Sequence, residues 1–412
     1  MYLSPVALLS DRVYGPFLFG NLVSNCGNWI HNVAAAVVVF QLTGSAVAVG
    51  AVSACLWAGS LLLQPWAGAL TDRYDRRRML IAGQSVALLG ALSVAVPSVA
   101  VGAEDLPGPW PIYLGTLLIG VGVAFSMPAM QALIPALVPD RDLDQAIALN
   151  GVTFNLARAI GPAVAGLILL KADASLAFAV NVASFAVLIV VLTAIRPRFA
   201  REPPHGDRSV RAGIRWVRED RRAIVLLASM VAIGFATDPI NTLTPPIAEL
   251  LGGGEALVGL LVTAFGAGAV AAAFFVEPIR ERIGRQRAAS AGLAVLGVAI
   301  AAFGFSPVAA YAVATLALAG AGFIVAITSV TTQLQERVPD LLRGRVLALW
   351  GVAFLGTRPF SAGIDGAIAD LVSPRAAALT MAAVALAAAL SQGREAERPA
   401  APRPRELAGA EY

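Results

Sequence analysis

The sequence predicts an all-α membrane protein of twelve transmembrane helices in two pseudo-symmetric six-helix bundles, and three observations carry that prediction. The 412 residues are 58% hydrophobic and 14% charged, against about 45–50% and about 25% in an ordinary soluble domain. Stretches of about 20 mostly apolar residues, the length that crosses the hydrocarbon layer, recur between short charged or Gly- and Pro-bearing breaks. The second half of the chain repeats residues of the first at a fixed offset.

Taken in order, the first span is read near Val13–Gln41. Met1 to Asp11 lacks the basic n-region of a signal peptide and no A-x-A-like site follows, so this stretch is expected to stay in the mature protein. Further spans are read near Val47–Leu70, Met79–Ala100, Pro111–Val138, Asp144–Leu170 and Ala174–Ile195, which complete a first bundle over residues 1–195. Residues 196–222 form a basic linker. Its Val210, Ile214 and Val217 recur at helical spacing among Arg211, Arg215 and Arg218, the pattern of a short amphipathic helix at a headgroup layer, or of a solvated linker helix. The second bundle, residues 223–391, reads as Ala223–Leu250, Ala256–Ile279, Ala288–Phe305, Pro307–Leu334, Gly344–Leu371 and a short Ala-rich span, Arg375–Leu390. Residues 392–412, rich in Pro, Ala, Glu and Arg, read as a disordered tail.

The repeat is specific. At an offset of 200, Val138-Pro139-Asp140 recurs as Val338-Pro339-Asp340, Gly151-Val152 as Gly351-Val352, and Phe154, Arg158 and Gly166 as Phe354, Arg358 and Gly366. At 209, Asp72-Arg73 meets Glu281-Arg282, with Arg76, Arg78 and Gly83 meeting Arg285, Arg287 and Gly292. Six spans separate the copies, so both run the same way through the bilayer, as in transporters whose halves are related by an axis along the membrane normal. Of the 30 Lys and Arg residues, 26 fall on the side of the N-terminus. By the positive-inside rule both termini and the linker are expected to be cytoplasmic, and the bias to arginine over lysine with the alanine richness hints at a high-GC bacterial genome, so the expected location is a bacterial inner membrane.

Several chemistries are excluded. The one lysine, Lys171, follows Leu170, so the chain has no P-loop, and no ATPase partner is implied. The two cysteines, Cys26 and Cys55, lie in apolar stretches as small hydrophobes. No zinc-protease, nucleophile-elbow or Cys/His metal spacing occurs, so no enzyme activity, cofactor or metal is expected. The net charge of +4 is spread over loops and does not form a nucleic-acid patch.

Four sets of residues stand out. Asp238 falls near the middle of the seventh span, followed by Pro239, Asn241 and Thr242; an ionisable residue at that depth is expensive and is a functional candidate by default, here as the site that loads and releases a proton, or else as a capping residue at a bend. Asn21, Asn25, Asn28 and Asn32 lie within roughly 60° on one helix face, which must be covered by protein or water and either lines a cavity or bonds neighbouring helices. Arg158 and Arg358 hold matched positions in the fifth and eleventh spans, for a shared task at the interface between halves or for attracting an anion. Asp365 follows Arg358 by seven residues, about 10 Å along the axis, too far for a direct pair.

Gly68-Ala-Leu-Thr-Asp72-Arg73-Tyr-Asp-Arg76-Arg77-Arg78, between the second and third spans, closely resembles the signature loop of the major facilitator superfamily. A second copy keeps Glu281-Arg282-Ile-Gly284-Arg285, with Glu277 where the family has glycine. Met127-Pro128 through Pro139, Asn155 through Gly161-Pro162, and Arg343-Gly344-Arg345 through Arg358-Pro359 resemble the twelve-span drug/proton antiporter branch that includes macrolide-efflux proteins and the enterobactin exporter.

The resemblance implies an exporter driven by proton antiport. It places Asn21, Asn25, Asn28, Asn32 and Asn241 on a central substrate cavity, and sets Asp72, Arg73, Arg77 and Arg345 as a cytoplasmic gate, since a carboxylate favours the start of a facing helix and pairs with arginine. Gly161-Pro162-Ala-Val-Ala-Gly166 partly resembles the fifth-span motif of antiporters, and with Gly68 is expected to serve helix packing. The cargo is expected to be an amphipathic small molecule such as a drug, macrolide or siderophore, carried by a monomer in the lipid bilayer; uptake, a lipid-like cargo, or a non-transporting sensor or scaffold are the alternatives.

Overall fold

In the computed structural model, residues 8–197, 199, 210–339 and 342–396 are described, apart from some side chains within helices. The first half comprises α1 (Tyr14–Thr43), α2 (Ala46–Arg73), α3 (Arg76–Val101), α4 (Trp110–Leu137), α5 (Leu143–Lys171) and α6 (Ala174–Ala194). The linker carries α7 (Val210–Glu219). The second half comprises α8 (Arg221–Thr237), α9 (Pro239–Thr242), α10 (Thr244–Leu250), α11 (Gly254–Ala273), α12 (Val276–Ile283), α13 (Arg285–Gly304), α14 (Ala309–Arg337), α15 (Arg343–Leu355), α16 (Arg358–Leu371) and α17 (Pro374–Ala396).

The helix ends follow local chemistry. Ser45 caps α2 by accepting from the Ala48 amide at 3.2 Å, and Asp75 caps α3 by accepting from that of Arg78 at 2.8 Å. Asp220 accepts from the amides of Arg222 and Ala223 at the head of α8, at 2.9 and 3.1 Å. Such caps satisfy amides that have no partner inside the helix.

Among the described residues, ten helices are long and apolar enough to cross a membrane. The other two expected spans are α1, which carries the four asparagines, and the eleventh, which is interrupted. That interruption departs from the single span read at Gly344–Leu371: α15 stops at Leu355 and α16 starts at Arg358, because Pro359 has no amide to carry the ladder through. The seventh span divides for the same reason into α8, α9 and α10, at Pro239 and at Pro245-Pro246. The eighth ends at Ala273 instead of Ile279; α12, with its Pro278 and arginines, is a separate short helix. The last span continues to Ala396, so residues 392–396 are its final turn and not part of a disordered tail; Gln392 is buried and donates to Ser229 Oγ at 2.8 Å. The rest of the tail lies outside the described residues.

The two halves repeat one packing scheme. In the first, α1 packs on α5 and α6, α3 on α4 and α6, and α2 on α4. In the second, α8 packs on α15 and α17, α13 on α14 and α17, and α11 on α14. Large apolar side chains such as Leu62, Trp66, Val99, Leu167 and Leu371 face outward, which suits lipid as the surrounding solvent. Within a half, small residues let backbones approach. A Cβ on Gly268 of α11 would stand 1.9 Å from the Ala317 carbonyl oxygen, and one on Gly320 of α14 would stand 1.9 Å from that of Phe265. Gly268→Ala is therefore expected to destabilise the solubilised protein by about 1–3 kcal/mol. Gly351→Ala, where nothing lies within 4 Å, is expected to leave the melting temperature in place; equal melting by the two variants would contradict this packing.

Between halves, two long seams join α2 to α16 and α5 to α11. These pairs are equivalents under the repeat, second span to eleventh and fifth to eighth. At the second seam Gly166 and Gly259 meet backbone to backbone, a Cβ on Gly259 falling 2.3 Å from the Gly166 Cα.

Candidate functional site

The breaks at Asp238 and at Gly356-Thr357 place polar groups at mid-helix depth, where the two halves face one another. Asp238 is fully buried, and neither carboxylate oxygen has a hydrogen-bond partner. Its backbone carbonyl does the work of the kink, accepting from the amides of Asn241 and Thr242 at 2.8 and 3.1 Å and from Thr242 Oγ1 at 3.0 Å. The Arg358 guanidinium is its electrostatic counterpart, without direct ion-pair contact. Arg358 donates to Thr237 Oγ1 at 3.3 Å, while its Nε is shut away without a partner. Asp365 is also buried, and accepts from Thr242 Oγ1 instead of pairing with Arg358.

The matched arginines each reach across the interface. The Arg158 guanidinium, from the first half, lies 4.9 Å from the ring centre of Phe265 and 4.5 Å from that of Phe323 in the second half, with Trp29 of its own half at 5.4 Å. Arg358, from the second half, lies 5.4 Å from Trp57 of α2 and 5.2 Å from its neighbour Phe354. Such cation–π contacts each contribute about 0.5–2 kcal/mol, more as water is excluded.

The asparagine stripe of α1 divides in two. Asn21 donates to Asn150 Oδ1 of α5 at 2.8 Å, and Asn25 donates back to Asn21 Oδ1 at 2.8 Å, so this end bonds helices together. Asn28 and Asn32 are half-buried, and neither side chain has a hydrogen-bond partner among the described residues; Asn241 is in the same position. His31 lies off the stripe, packed on Phe178 with its Nε2 3.1 Å from Thr116 Oγ1.

The halves are closed at the side remote from the termini. The Asp370 carboxylate, at the last turn of α16, accepts from Ser45 Oγ at 2.5 Å and from the amides of Ala46 and Val47 at 2.7 and 3.0 Å, so one half caps a helix of the other. Gln41 donates to Glu255 close by. These are the side-chain hydrogen bonds that cross between halves among the described residues.

On the terminus side, the described side-chain hydrogen bonds stay within one half or join it to the linker. Arg77 donates to the carbonyls of Leu192 and, at 2.5 Å, of Thr193 at the end of α6. Arg73 is exposed. Arg345 packs beside α7, where a Cβ on Gly213 would stand 3.0 Å from its own. The side chain of Asp72 lies outside the described residues. A Cβ on Gly68 would meet nothing within 4 Å, whereas one on Gly161 would fall 2.5 Å from the Trp29 Cβ, so Gly161 lets α5 approach α1. Pro162 and Gly166 lie on the seam with α11, the Pro162 carbonyl oxygen standing 3.3 Å from where a Gly259 Cβ would be.

Sequence reasoning passed over the aromatic cradle of Trp29, Trp57, Phe265, Phe323 and Phe354, and the far-side residues Gln41, Ser45, Glu255 and Asp370. Ser45, a helix-capping residue beside Gly44, was the one with a readable signal. No group of three His, Cys, Asp or Glu side chains among the described residues could hold a metal.

Comparison with known proteins agrees with this fold. The profile of a family described as transmembrane secretion effector matches residues 3–402. The staphyloferrin A transporter of Staphylococcus aureus is 24% identical over 78% of this chain and 81% of its own. Macrolide efflux protein A of Streptococcus pyogenes is 23% identical over 86% and 88%, and the enterobactin exporter of Escherichia coli is 27% identical over 76% and 74%. Among solved structures, a nucleoside transporter superposes with a TM-score of 0.74 at 11% identity, covering 92% of this chain and 98% of that one.

Proposed function

Because the chain belongs to the transmembrane secretion effector family of the major facilitator superfamily and is thus a membrane transporter, we propose that it exports an amphipathic small molecule in exchange for protons. The observation that carries the coupling is Asp238: a buried carboxylate with both oxygens unbonded, at a helix break between the halves, within electrostatic reach of the Arg358 guanidinium and the Asp365 carboxylate. A group that is costly to leave charged in the membrane interior, yet sits beside a cation, is suited to alternate between holding and releasing a proton.

The arginine bias puts the terminus side in the cytoplasm. The far-side closure through Asp370 and Glu255 then describes a state that receives cargo from within. The rocking of one bundle on the other carries it out. In the opposite state the signature loop acts as the latch: Asp72 meets the start of α15 near Arg345, with Arg73 flanking it and Arg77 fixing the loop to α6. The cavity is lined by Asn28, Asn32 and Asn241, with Asn21 and Asn25 setting the angle between α1 and α5. The relatives named for a macrolide and for two siderophores support an amphipathic cargo.

The test is proton movement in everted membrane vesicles given a panel of macrolides and siderophores. At least one compound is expected to drive protons out of an acidified lumen in vesicles holding the protein and not in empty ones. Silence across the panel, with correctly inserted protein, would reject proton-coupled export of these compounds.

A further inference from the structure

We propose that Arg158 is the docking point for an anionic group on the molecule the cavity takes, so that the cargo is a ring-bearing organic anion. This names a substrate class for the site and rests on the transporter reading above. Arg158 makes no hydrogen bond and no ion pair with any described residue. Arg158 as a whole is half-buried, whereas Nε of Arg358 is shut off. A guanidinium carries five N–H donors in one plane, and the rings of Trp29, Phe265 and Phe323 engage none of them as hydrogen-bond acceptors in that plane.

Charge bookkeeping points the same way. Arg358 has Asp238 as its counterpart, and Asp365 is engaged by Thr242. The charged group that acts on Arg158 is Arg358, of like sign. Unpaired cations inside a membrane are rare, and they mark pathways for what neutralises them. Planar, forked donors match carboxylate, sulfonate and phosphate oxygens. The three rings standing within 5.4 Å of the guanidinium carbon give a ring on the same ligand surfaces to stack against. Two of these rings belong to the opposite half from Arg158, so an anion seated there touches both bundles at once.

The test uses two probes of one skeleton: 8-anilinonaphthalene-1-sulfonate, and N-phenyl-1-naphthylamine, which lacks the sulfonate. Binding of each to the purified full chain in detergent is measured by equilibrium dialysis against empty micelles. The wild type is expected to prefer the sulfonate, with Arg158→Gln reducing the ratio of the two affinities by about tenfold or more and Arg158→Lys restoring part of it. Elution as a single species checks that each variant is folded. A wild type that shows no preference, or an unchanged ratio in Arg158→Gln, overturns the proposal. Proton flux in everted vesicles separates this from the export reading. Charge-selective binding without flux from either probe upholds the anion site and removes the exporter; flux driven by the neutral amine with charge-blind binding does the reverse.

Discussion

Asp238→Asn is expected to reduce ligand-driven proton movement to the level of empty vesicles, while downhill exchange of labelled cargo continues. Asparagine has nearly the same shape and leaves the kink intact, because the hydrogen bonds at the break are made by the backbone carbonyl of residue 238 and not by its side chain. What is lost is the proton-binding group and the counter-charge of Arg358. The two groups act on one another without an ion-pair contact, so removing the carboxylate leaves Arg358 less well compensated, at a cost below the about 3–5 kcal/mol of a broken buried ion pair. A fall in melting temperature should therefore accompany the uncoupling. Adding Arg358→Gln should recover much of that stability and none of the coupling, the non-additivity expected of groups that act on one another. Full coupling in Asp238→Asn would move the proton site elsewhere, with Asp365 the next residue to replace.

Asp370→Ala is expected to shift the resting population toward the state open on the far side. Its carboxylate holds Ser45 Oγ and two amides at the start of α2. Charge-assisted hydrogen bonds contribute about 1.5–3 kcal/mol each, and the positive end of the helix dipole adds to them. Losing even one bond's worth of that, from a contact present in one state only, changes the ratio of states by roughly tenfold to a hundredfold. Spin labels at Val101 and Phe305, exposed positions at the far ends of α3 and α13, would report the change as a longer distance in pulsed resonance measurements, with Asp370→Glu giving part of it. An unchanged distance distribution would show that the cap contributes nothing to closure. The outcome bears on the gate as well: Asp370 ends the eleventh span and caps the second, as Asp72 ends the second and is proposed to meet the eleventh, so the two ends of one seam supply the closure at each face.

Much of this was legible in the chain. Hydropathy and the offset of 200 residues specify the two halves, because each span is a local pattern and the repeat preserves it. Asp238 and the arginine pair were legible as candidates because charge within an apolar run is expensive in lipid and stands out from its neighbours. The eleventh span read as one helix because its hydropathy continues across Gly356 and Pro359, although the backbone ladder does not. The contact of Asp370 with Ser45 joins residues 325 apart, with no local signal at the acid. The aromatic cradle was hidden for another reason: in an apolar span, Phe265 and Phe323 look like any other lipid-soluble residues until the fold puts a cation between them. Asn21 and Asn28 are alike in sequence, and only the position of Asn150 on a neighbouring helix separates a structural amide from an unbonded one.

The Gly166–Gly259 contact has a mechanical consequence. Where interlocked side chains form a joint, every stroke must lift teeth out of sockets and reseat them. Here two bare backbones touch, one from each bundle, and that part of the joint behaves as a plain bearing with no detents of its own. In the proposed rocking motion, the preference for one end of the stroke or the other is then left to the catches at the faces and to what sits in the middle. A single methyl at either glycine would act as a shim, holding the bearing apart and slackening both catches together.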